Sequence, residues 1–319
     1  MITDTNPVTE TIPKPKSNFV NILFVGLKII TKITSIIAKF SKIALAGISL
    51  AAYTYLYSWP FALMLMAQLF IHEYGHIWAM KRVGIKTKGI YFIPFVGGAA
   101  VASEDFKTRK DEVFVALMGP VFGFGCALIM MVIYYTTKSP MFAAGAAWMA
   151  MINLFNLLPI NPLDGGRVMK SIAFSIHSWF GYVFMIIGII ASIFLAIYAH
   201  IWIFILVVIL SSLELVVEFY FNHKRRKEEI EYKEQCDKLN AKMDVLRKEH
   251  IEKGIPIPTT SVLNVSLPEI EITPEKPTMN IKEIVLAVLQ YFALAIILYI
   301  FMEDTMHIPG AALAMDILR

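Results

Sequence analysis

Long apolar runs separated by short polar breaks occupy most of the chain. A helix needs about 20 apolar residues to cross the hydrocarbon core of a bilayer. The pattern predicts seven transmembrane helices, at residues 43–58, 60–80, 113–136, 141–159, 178–199, 201–222 and 283–302. Trp59 and Pro60 separate the first two runs, which predicts a tight helical hairpin, because proline breaks a helix but is tolerated in its first turn.

The segments outside these runs differ in character. Residues 1–18 are polar and contain three prolines, which predicts a disordered cytoplasmic tail, and no cleavable signal peptide is expected. In residues 19–42 four lysines fall on one helical face, which predicts an amphipathic interfacial helix; the alternative is a polar lead-in to the first span. Residues 223–282 are predicted to be a cytoplasmic helix followed by a proline-rich linker. Residues 303–319 are predicted to be an external tail.

Composition agrees with a membrane protein. Of the 319 residues 57% are hydrophobic and 17% are charged, and the mean hydropathy is +0.63, whereas soluble domains are about half apolar and about a quarter charged. The net charge of +4 is too small to indicate nucleic-acid binding. The two cysteines lie in dissimilar surroundings, so no disulfide is expected.

Lysine and arginine in the loops predict the orientation of the spans. The loop at 81–112 and the segment beginning HKRRK after residue 222 are basic, whereas the intervening turns carry almost no positive charge. This places the N-terminus, the loop near 163–177 and residues 223–282 in the cytoplasm. Glu214 and Glu218, a turn apart near the end of the sixth span, either face a wet cavity or snorkel to the surface, and snorkelling is expected for Glu218.

Six mostly apolar or aromatic residues in 232–250 are spaced at alternating steps of four and three. They are Tyr232, Cys236, Leu239, Met243, Leu246 and His250. The pattern fits either a short coiled-coil seam, through which the chain would form a homo-oligomer, or a solvated helix with Glu/Lys pairs.

The second apolar run contains the sequence IHEYGHIWAM, at residues 71–80. His72 and His76 lie one helical turn apart on one face and can share a metal ion, most commonly zinc. Glu73 is offset by about 100° and is placed to act on a bound water. Ionisable groups within a membrane helix are costly and mark function by default. Gly75 is expected to permit close approach of another backbone.

A catalytic zinc normally has three protein ligands, so a third must come from another segment. The candidates within apolar segments are Asp164, Glu214, Glu218, His177 and His200. Asp164 is distinguished by its surroundings, NLFNLLPINPLDGGR at 153–167, where Pro159 and Pro162 exclude a regular helix. Gly165 and Gly166 would free the backbone beyond. A helix-ending turn is the alternative explanation for this segment.

HEYGH followed by NLLPINPLDGGR resembles the site-2 protease family of intramembrane zinc metalloproteases. The match to N-x-x-P-x-x-P-L-D-G is in order from Asn156 to Gly165, and Met118–Pro120 resembles the family's intervening Gly-Pro. The resemblance covers about 60–170, and more loosely extends to 222. Where many members have an asparagine shortly after that Gly-Pro, this chain has Gly123.

The resemblance implies a site and a fold. The implied Zn²⁺ ligands are His72, His76 and Asp164, with Glu73 as general base and Asn156 steadying the substrate carbonyl or oxyanion. The implied fold is an all-α polytopic membrane protein, with a metalloprotease core at 43–222 that has six transmembrane helices and a re-entrant β-hairpin. The span at 283–302 is an addition to that core. Gln68, one turn before His72, either supports the site or contacts a neighbouring helix.

The stretch GIYFIPFVGGAAV at 89–101 resembles the family's hairpin, and an ordinary cytoplasmic hairpin is the alternative. Gly97 and Gly98 are expected to form its turn. A substrate must be extended to be cut, and its freed backbone groups then need partners in lipid. Strand addition to the hairpin would provide them. The residues expected to pair with the substrate are Val96, Gly97, Gly98 and Ala99.

The predicted function is therefore zinc-dependent cleavage of a transmembrane protein substrate within the lipid bilayer, near the cytoplasmic side. The predicted location is a prokaryotic plasma membrane. One alternative is a catalytically silent family member that acts as a membrane scaffold or metal carrier, although such a protein would be expected to lose Glu73. Another is a zinc hydrolase of a different family, which the NPLDGG motif argues against.

Overall fold

The computed structural model describes residues 42–93, 97–198, 203–252 and 276–312. The predicted tail at 1–18, the interfacial helix at 19–42 apart from its last residue, and the linker from 253 to 275 lie outside the described residues. So do residues 94–96 and residues 313–319 of the predicted external tail, whose first residues, up to Met306, belong to the last helix.

The described parts of the chain contain eight helices and one two-stranded sheet. In chain order the elements are α1 Lys42–Leu56, α2 Trp59–Arg82, β1 Thr87–Ile93, β2 Gly97–Ala102, α3 Arg109–Thr137, α4 Pro140–Asn156, α5 Asp164–Ile176, α6 Ser178–Tyr198, α7 Ile203–Glu252 and α8 Ile281–Met306. The protein is thus mostly helical with a small hairpin, as predicted.

Four of these helices are long and apolar enough to cross a membrane. They are α3, α6, α7 and α8, which together with the apolar composition make this an integral membrane protein. The predicted count of seven spans is not reproduced by this measure. Helix α1 is a shorter apolar helix, α4 has only 17 residues, and α2 carries the polar residues of the HEYGH motif.

One segment predicted as a loop is helical. Residues 163–177 were expected to connect two spans, but Asp164–Ile176 forms α5. The interruption predicted from Pro159 and Pro162 is present, since α4 ends at Asn156 and α5 begins at Asp164. Helix α5 can begin at Asp164, two residues after Pro162, because a proline restricts the backbone only at its own position and at the preceding residue.

Helices α2, α3 and α4 form the centre of the molecule. Small side chains along α4 are fully buried, which lets neighbouring helices approach closely: Ala143, Ala144, Ala146, Ala147 and Ala150. Helix α8 packs against α4 and α5, where Tyr291 and Leu298 join the core that contains Leu157. The Tyr291 hydroxyl donates to the Leu157 carbonyl over 2.5 Å, at the start of the interruption.

Helix α7 continues without a break from its apolar half into the basic segment. Glu/Lys and Glu/Arg pairs one turn apart support this polar half, as in a solvated helix: Lys224–Glu228, Arg225–Glu229 and Lys227–Glu231. Tyr232, Cys236, Leu239 and Met243 are half-buried on one side. A seam for self-association through 232–250 stays a prediction.

Candidate metal centre

Helix α2 places the two histidines inside the protein. The imidazoles of His72 and His76 are 2% and 4% exposed, and Glu73 between them is 7% exposed. Gly75 faces α3, where a Cβ would collide with the main-chain carbonyl of Met118. The expected close approach of another backbone at Gly75 is therefore present, and it brings α3 against the histidines.

Three ligand atoms converge between α2 and α5. Asp164 Oδ2 lies 3.0 Å from His72 Nε2 and 3.3 Å from His76 Nε2, and the two Nε2 atoms are 3.2 Å apart. Gly119 of α3 forms the opposing wall, since a Cβ there would overlap both imidazoles. The structure thus brings together all three residues predicted to bind the metal.

The outer nitrogens of both imidazoles have hydrogen-bond acceptors. His76 Nδ1 lies 2.8 Å from the Val115 carbonyl, and His72 Nδ1 lies 3.0 Å from Asn153 Oδ1. With its proton on Nδ1, each ring directs the Nε2 lone pair inward. Two lone pairs and a carboxylate oxygen then face one another, an arrangement that a bound cation stabilises, and this donor set fits zinc.

Asp164 is the first residue of α5, and its position depends on two close contacts. A Cβ at Gly165 would collide with the Leu157 carbonyl, and one at Gly166 would collide with the main chain of Ile160. These glycines were expected to free the backbone, but they are helical and permit packing against the interruption instead. Arg167 lies one turn further on, with Nη1 3.7 Å from Asp164 Oδ1.

Glu73 lies beside the three ligands and against the hairpin. A ligand atom on each of His72, Glu73 and His76 lies within 4.8 Å of the others. Glu73 Oε2 accepts a hydrogen bond from the Ala100 N–H over 2.7 Å, and a Cβ at Gly98 would meet Glu73 Cγ at 2.6 Å. Strand β2 therefore holds this carboxylate to one side of the histidine pair.

The hairpin differs from the prediction in the position of its turn. Gly97 and Gly98 were expected to form the turn, but both lie in β2, opposite Ile93 and Phe92 of β1. Strand β1 ends at Ile93 and β2 begins at Gly97, so the two glycines are part of a strand and do not connect the strands. Ala99 lies opposite Tyr91, and Val96 falls outside the described residues.

Asn156 and Gln68 line the same region. Asn156 Nδ2 lies 3.5 Å from His72 Nε2, so the predicted oxyanion residue adjoins the metal position. Gln68 is fully buried and its amide has no hydrogen-bond partner among the described residues. Asn153 is a site residue that no motif in the sequence predicts, because its nearness to His72 depends on how α4 packs against α2.

The other candidates for a third ligand are used elsewhere. Glu214 pairs with Lys170 over 2.5 Å, and Glu218 pairs with Arg109 over 2.8 Å. The expectation that Glu218 snorkels to the surface is wrong, since a buried arginine draws it inward. His177 is exposed, with Nδ1 accepting from the Trp179 N–H. His200 lies outside the described residues.

Comparison with known proteins confirms the resemblance suggested by the motifs. Residues 60–147 match the family model of Peptidase family M50, the family of site-2 proteases. The matched segment contains HEYGH and Met118–Pro120 and ends before Asn156. The assignment of Asp164 as a ligand therefore depends on the motif and on the observed geometry.

Several individual proteins are similar over part of the chain. A zinc metalloprotease of Methanocaldococcus jannaschii is 27% identical over 115 residues, which are 34% of this chain and 33% of the relative. A Synechocystis protein provisionally named a zinc metalloprotease is 36% identical over 122 residues, 36% of this chain and 31% of the relative. The chain thus matches about a third of the length of these relatives.

A search of solved structures finds a site-2 protease from Methanocaldococcus jannaschii. The similarity covers 54% of this chain and 83% of that one, with 20% sequence identity and a TM-score of 0.39.

Proposed function

We propose that this protein is an intramembrane zinc metalloprotease that hydrolyses a peptide bond in a transmembrane segment of a membrane-protein substrate. The observation that carries the proposal is the convergence of His72 Nε2, His76 Nε2 and Asp164 Oδ2 at 3.0–3.3 Å beside a buried glutamate. Three ligands that leave one position open are typical of a catalytic zinc site.

In the proposed mechanism these residues divide the work. His72, His76 and Asp164 would hold the zinc, and a zinc bound there would supply Lewis-acid activation of a water and of the substrate carbonyl. Glu73 accepts the proton of the attacking water and delivers it to the leaving amine. The Asn156 amide lies next to the histidines and donates to the oxyanion that develops on the substrate carbonyl.

Strand β2 is proposed to hold the substrate in an extended form. Main-chain groups of alternate residues in a strand point in opposite directions across the sheet. Since the Ala100 N–H points to Glu73, the main chain of Gly98 faces the same way, whereas Gly97 and Ala99 face β1. A substrate strand would therefore add to β2 through Gly98 and Ala100, next to the catalytic carboxylate.

Water is proposed to enter through a charged cleft on the predicted cytoplasmic side. The cleft has a volume of about 460 Å³ and is lined by residues of α3, α5 and α7, among them Glu112, Lys170 and Glu218. Arg167 also lines it and approaches Asp164 Oδ1. A cleft with polar walls that ends beside a proposed zinc ligand can hold water, whereas surrounding lipid cannot.

The proposal is tested with the full chain purified in detergent and a synthetic transmembrane peptide as substrate. Wild type is expected to bind one zinc and cut the peptide. Glu73→Gln is expected to bind zinc normally and lose cleavage, because the base is gone while the ligands remain. Asp164→Ala is expected to lose tightly bound zinc together with activity.

Two outcomes would contradict the proposal. Cleavage by Glu73→Gln at the wild-type rate would exclude Glu73 as the base. Tight zinc binding by Asp164→Ala would exclude Asp164 as a ligand. If wild type binds zinc but cuts no membrane substrate, the metal-carrier or scaffold alternative is favoured.

A further inference from the structure

The side chain of Asn153 fills the space left by the missing side chain of Gly123. Asn153 is on α4 and is fully buried, and Gly123 is on α3. A Cβ built at Gly123 would overlap the amide of Asn153 and would lie 2.6 Å from Gln68 Nε2. The asparagine amide can reach α2 only because α3 has no side chain at this position.

Two hydrogen bonds fix the orientation of the Asn153 amide. Its Nδ2 donates to the Met149 carbonyl over 2.8 Å, and its Oδ1 lies 3.0 Å from His72 Nδ1. A carbonyl can only accept a hydrogen bond, so the nitrogen must face Met149 and the oxygen must face His72. His72 Nδ1 then carries the proton, and Nε2 is left with its lone pair toward Asp164.

We propose that Asn153 is a positioning residue for the metal centre: it fixes the ring orientation and tautomer of His72. The absence of a side chain at Gly123 leaves the space that the Asn153 amide occupies. This inference rests on the proposed zinc site. Val115 performs the matching task for His76 with a main-chain carbonyl. The Asn153 contact comes from a side chain, so it can be removed by substitution.

The first test compares zinc affinity in two variants of the purified full chain by chelator competition. Asn153→Leu keeps the number and branching of the side-chain heavy atoms but removes the acceptor, and zinc affinity is expected to fall about 10- to 100-fold, as for other residues that orient a metal-binding histidine. Asn153→Asp keeps an acceptor oxygen for His72 but loses the donor to the Met149 carbonyl, and it is expected to retain clearly more zinc affinity than Asn153→Leu. A purely packing role predicts that both variants lose affinity alike.

A matched control separates this effect from the loss of any buried polar group. Ser192 is fully buried on α6 and donates to the Gly188 carbonyl of the same helix over 2.8 Å. Ser192→Ala is expected to bind zinc as wild type does. Thermal unfolding of each zinc-free variant shows that the fold is retained.

A second test changes Gly123 on α3 instead of Asn153, and it still tests the positioning role if Asn153→Leu does not fold. Gly123→Ala is expected to lower zinc affinity because the new methyl group displaces the Asn153 amide. In an Asn153→Ala background the same change is expected to have a much smaller further effect, since only the Gln68 amide is left to displace. In Gly123→Asn with Asn153→Ala, an amide returns from the other helix and partial recovery is expected.

The outcomes distinguish this inference from the proposed function. Wild-type zinc affinity in Asn153→Leu, or additive losses from Gly123→Ala and Asn153→Ala, would overturn the positioning role while leaving the zinc site intact. Failure of the wild-type chain to bind zinc would overturn the proposed function itself.

Discussion

At the scale of single residues, the site depends on glycines, which leave room for close contacts, as much as on the side chains that form it. Gly75 lies on α2, and Gly119 and Gly123 lie four residues apart on the facing helix α3. A Cβ at Gly75 would collide with the Met118 carbonyl, one at Gly119 with both imidazoles, and one at Gly123 with the Asn153 amide. Because packed cores do not deform easily, a single added methyl group at such a position has to move a neighbour.

Gly119→Ala is predicted to abolish tight zinc binding and cleavage, because its Cβ would overlap both imidazoles. Gly125→Ala, on the same helix, is the matched control: a Cβ there meets nothing within 4 Å, so zinc content and activity should be unchanged. Zinc content by elemental analysis and peptide cleavage measure both. Full zinc occupancy in Gly119→Ala would show that the histidines do not depend on this contact.

The sequence was informative about this site where the ligands share a local motif. HEYGH predicts its own geometry because four residues make one helical turn. Asp164 was recognisable through NPLDGG, although its approach to His72 depends on tertiary packing. Asn153 could not be identified, because its contact with His72 is set by the depth at which α4 packs against α2, which no periodicity along the chain records.

At the scale of elements, the hairpin and α2 form one unit through the hydrogen bond from Ala100 to Glu73. Proline at position 100 would remove the N–H and leave Glu73 without this partner. Ala100→Pro is therefore predicted to lower the cleavage rate while zinc binding is retained. Ala100→Gly, which keeps the N–H, is the control and should remain close to wild type.

A buried ion-pair network joins α3, α5 and α7. Lys170 is 4% exposed and contacts Glu112 at 3.3 Å and Glu214 at 2.5 Å. Burial alone would lower the pKa of Lys170, but the carboxylates of Glu112 and Glu214 outweigh it and hold that pKa above its usual range. The ammonium group thus stays charged, and its ion pair with Glu214 links α7 to α5, the helix that begins with Asp164.

Removing this cation should destabilise the fold. Lys170→Met is predicted to lower the free energy of unfolding by about 3–5 kcal/mol, because the buried carboxylate of Glu112 and the partly buried one of Glu214 lose their partner. Lys110→Met is the control, since the Lys110–Glu283 pair is largely exposed and such pairs contribute little. Denaturation of the detergent-solubilised protein compares them, and equal stabilities would contradict the structural role of the network.

The elements themselves were predicted with uneven success for physical reasons. Apolar runs predicted most helices because burial in lipid or in the core selects for hydrophobicity all round. Helix α5 was missed because its first turn, DGGR, has the composition of a loop, and only packing of the two glycines against the preceding turn makes it helical. The turn of the hairpin was misplaced since glycine is common both in turns and where a side chain approaches a strand.

At the scale of the whole molecule, the long helix α7 begins in the apolar region and continues into a polar, basic half within the same helix. Its apolar half packs on α6, its middle carries Glu214 and Glu218 into the ion-pair network, and its basic half extends beyond. The side of the membrane on which this basic half lies also fixes the side from which the charged cleft, and hence the metal centre, is reached.

The two cysteines allow that side to be measured in the native chain. Cys126 is buried within α3, and Cys236 is half-buried on the polar half of α7. Since basic segments stay in the cytoplasm, a membrane-impermeant maleimide is predicted to label Cys236 in inverted membrane vesicles and not in intact cells. Cys236→Ser should abolish labelling in the vesicles. Labelling of Cys236 in intact cells would reverse the orientation and place the entrance to the site outside.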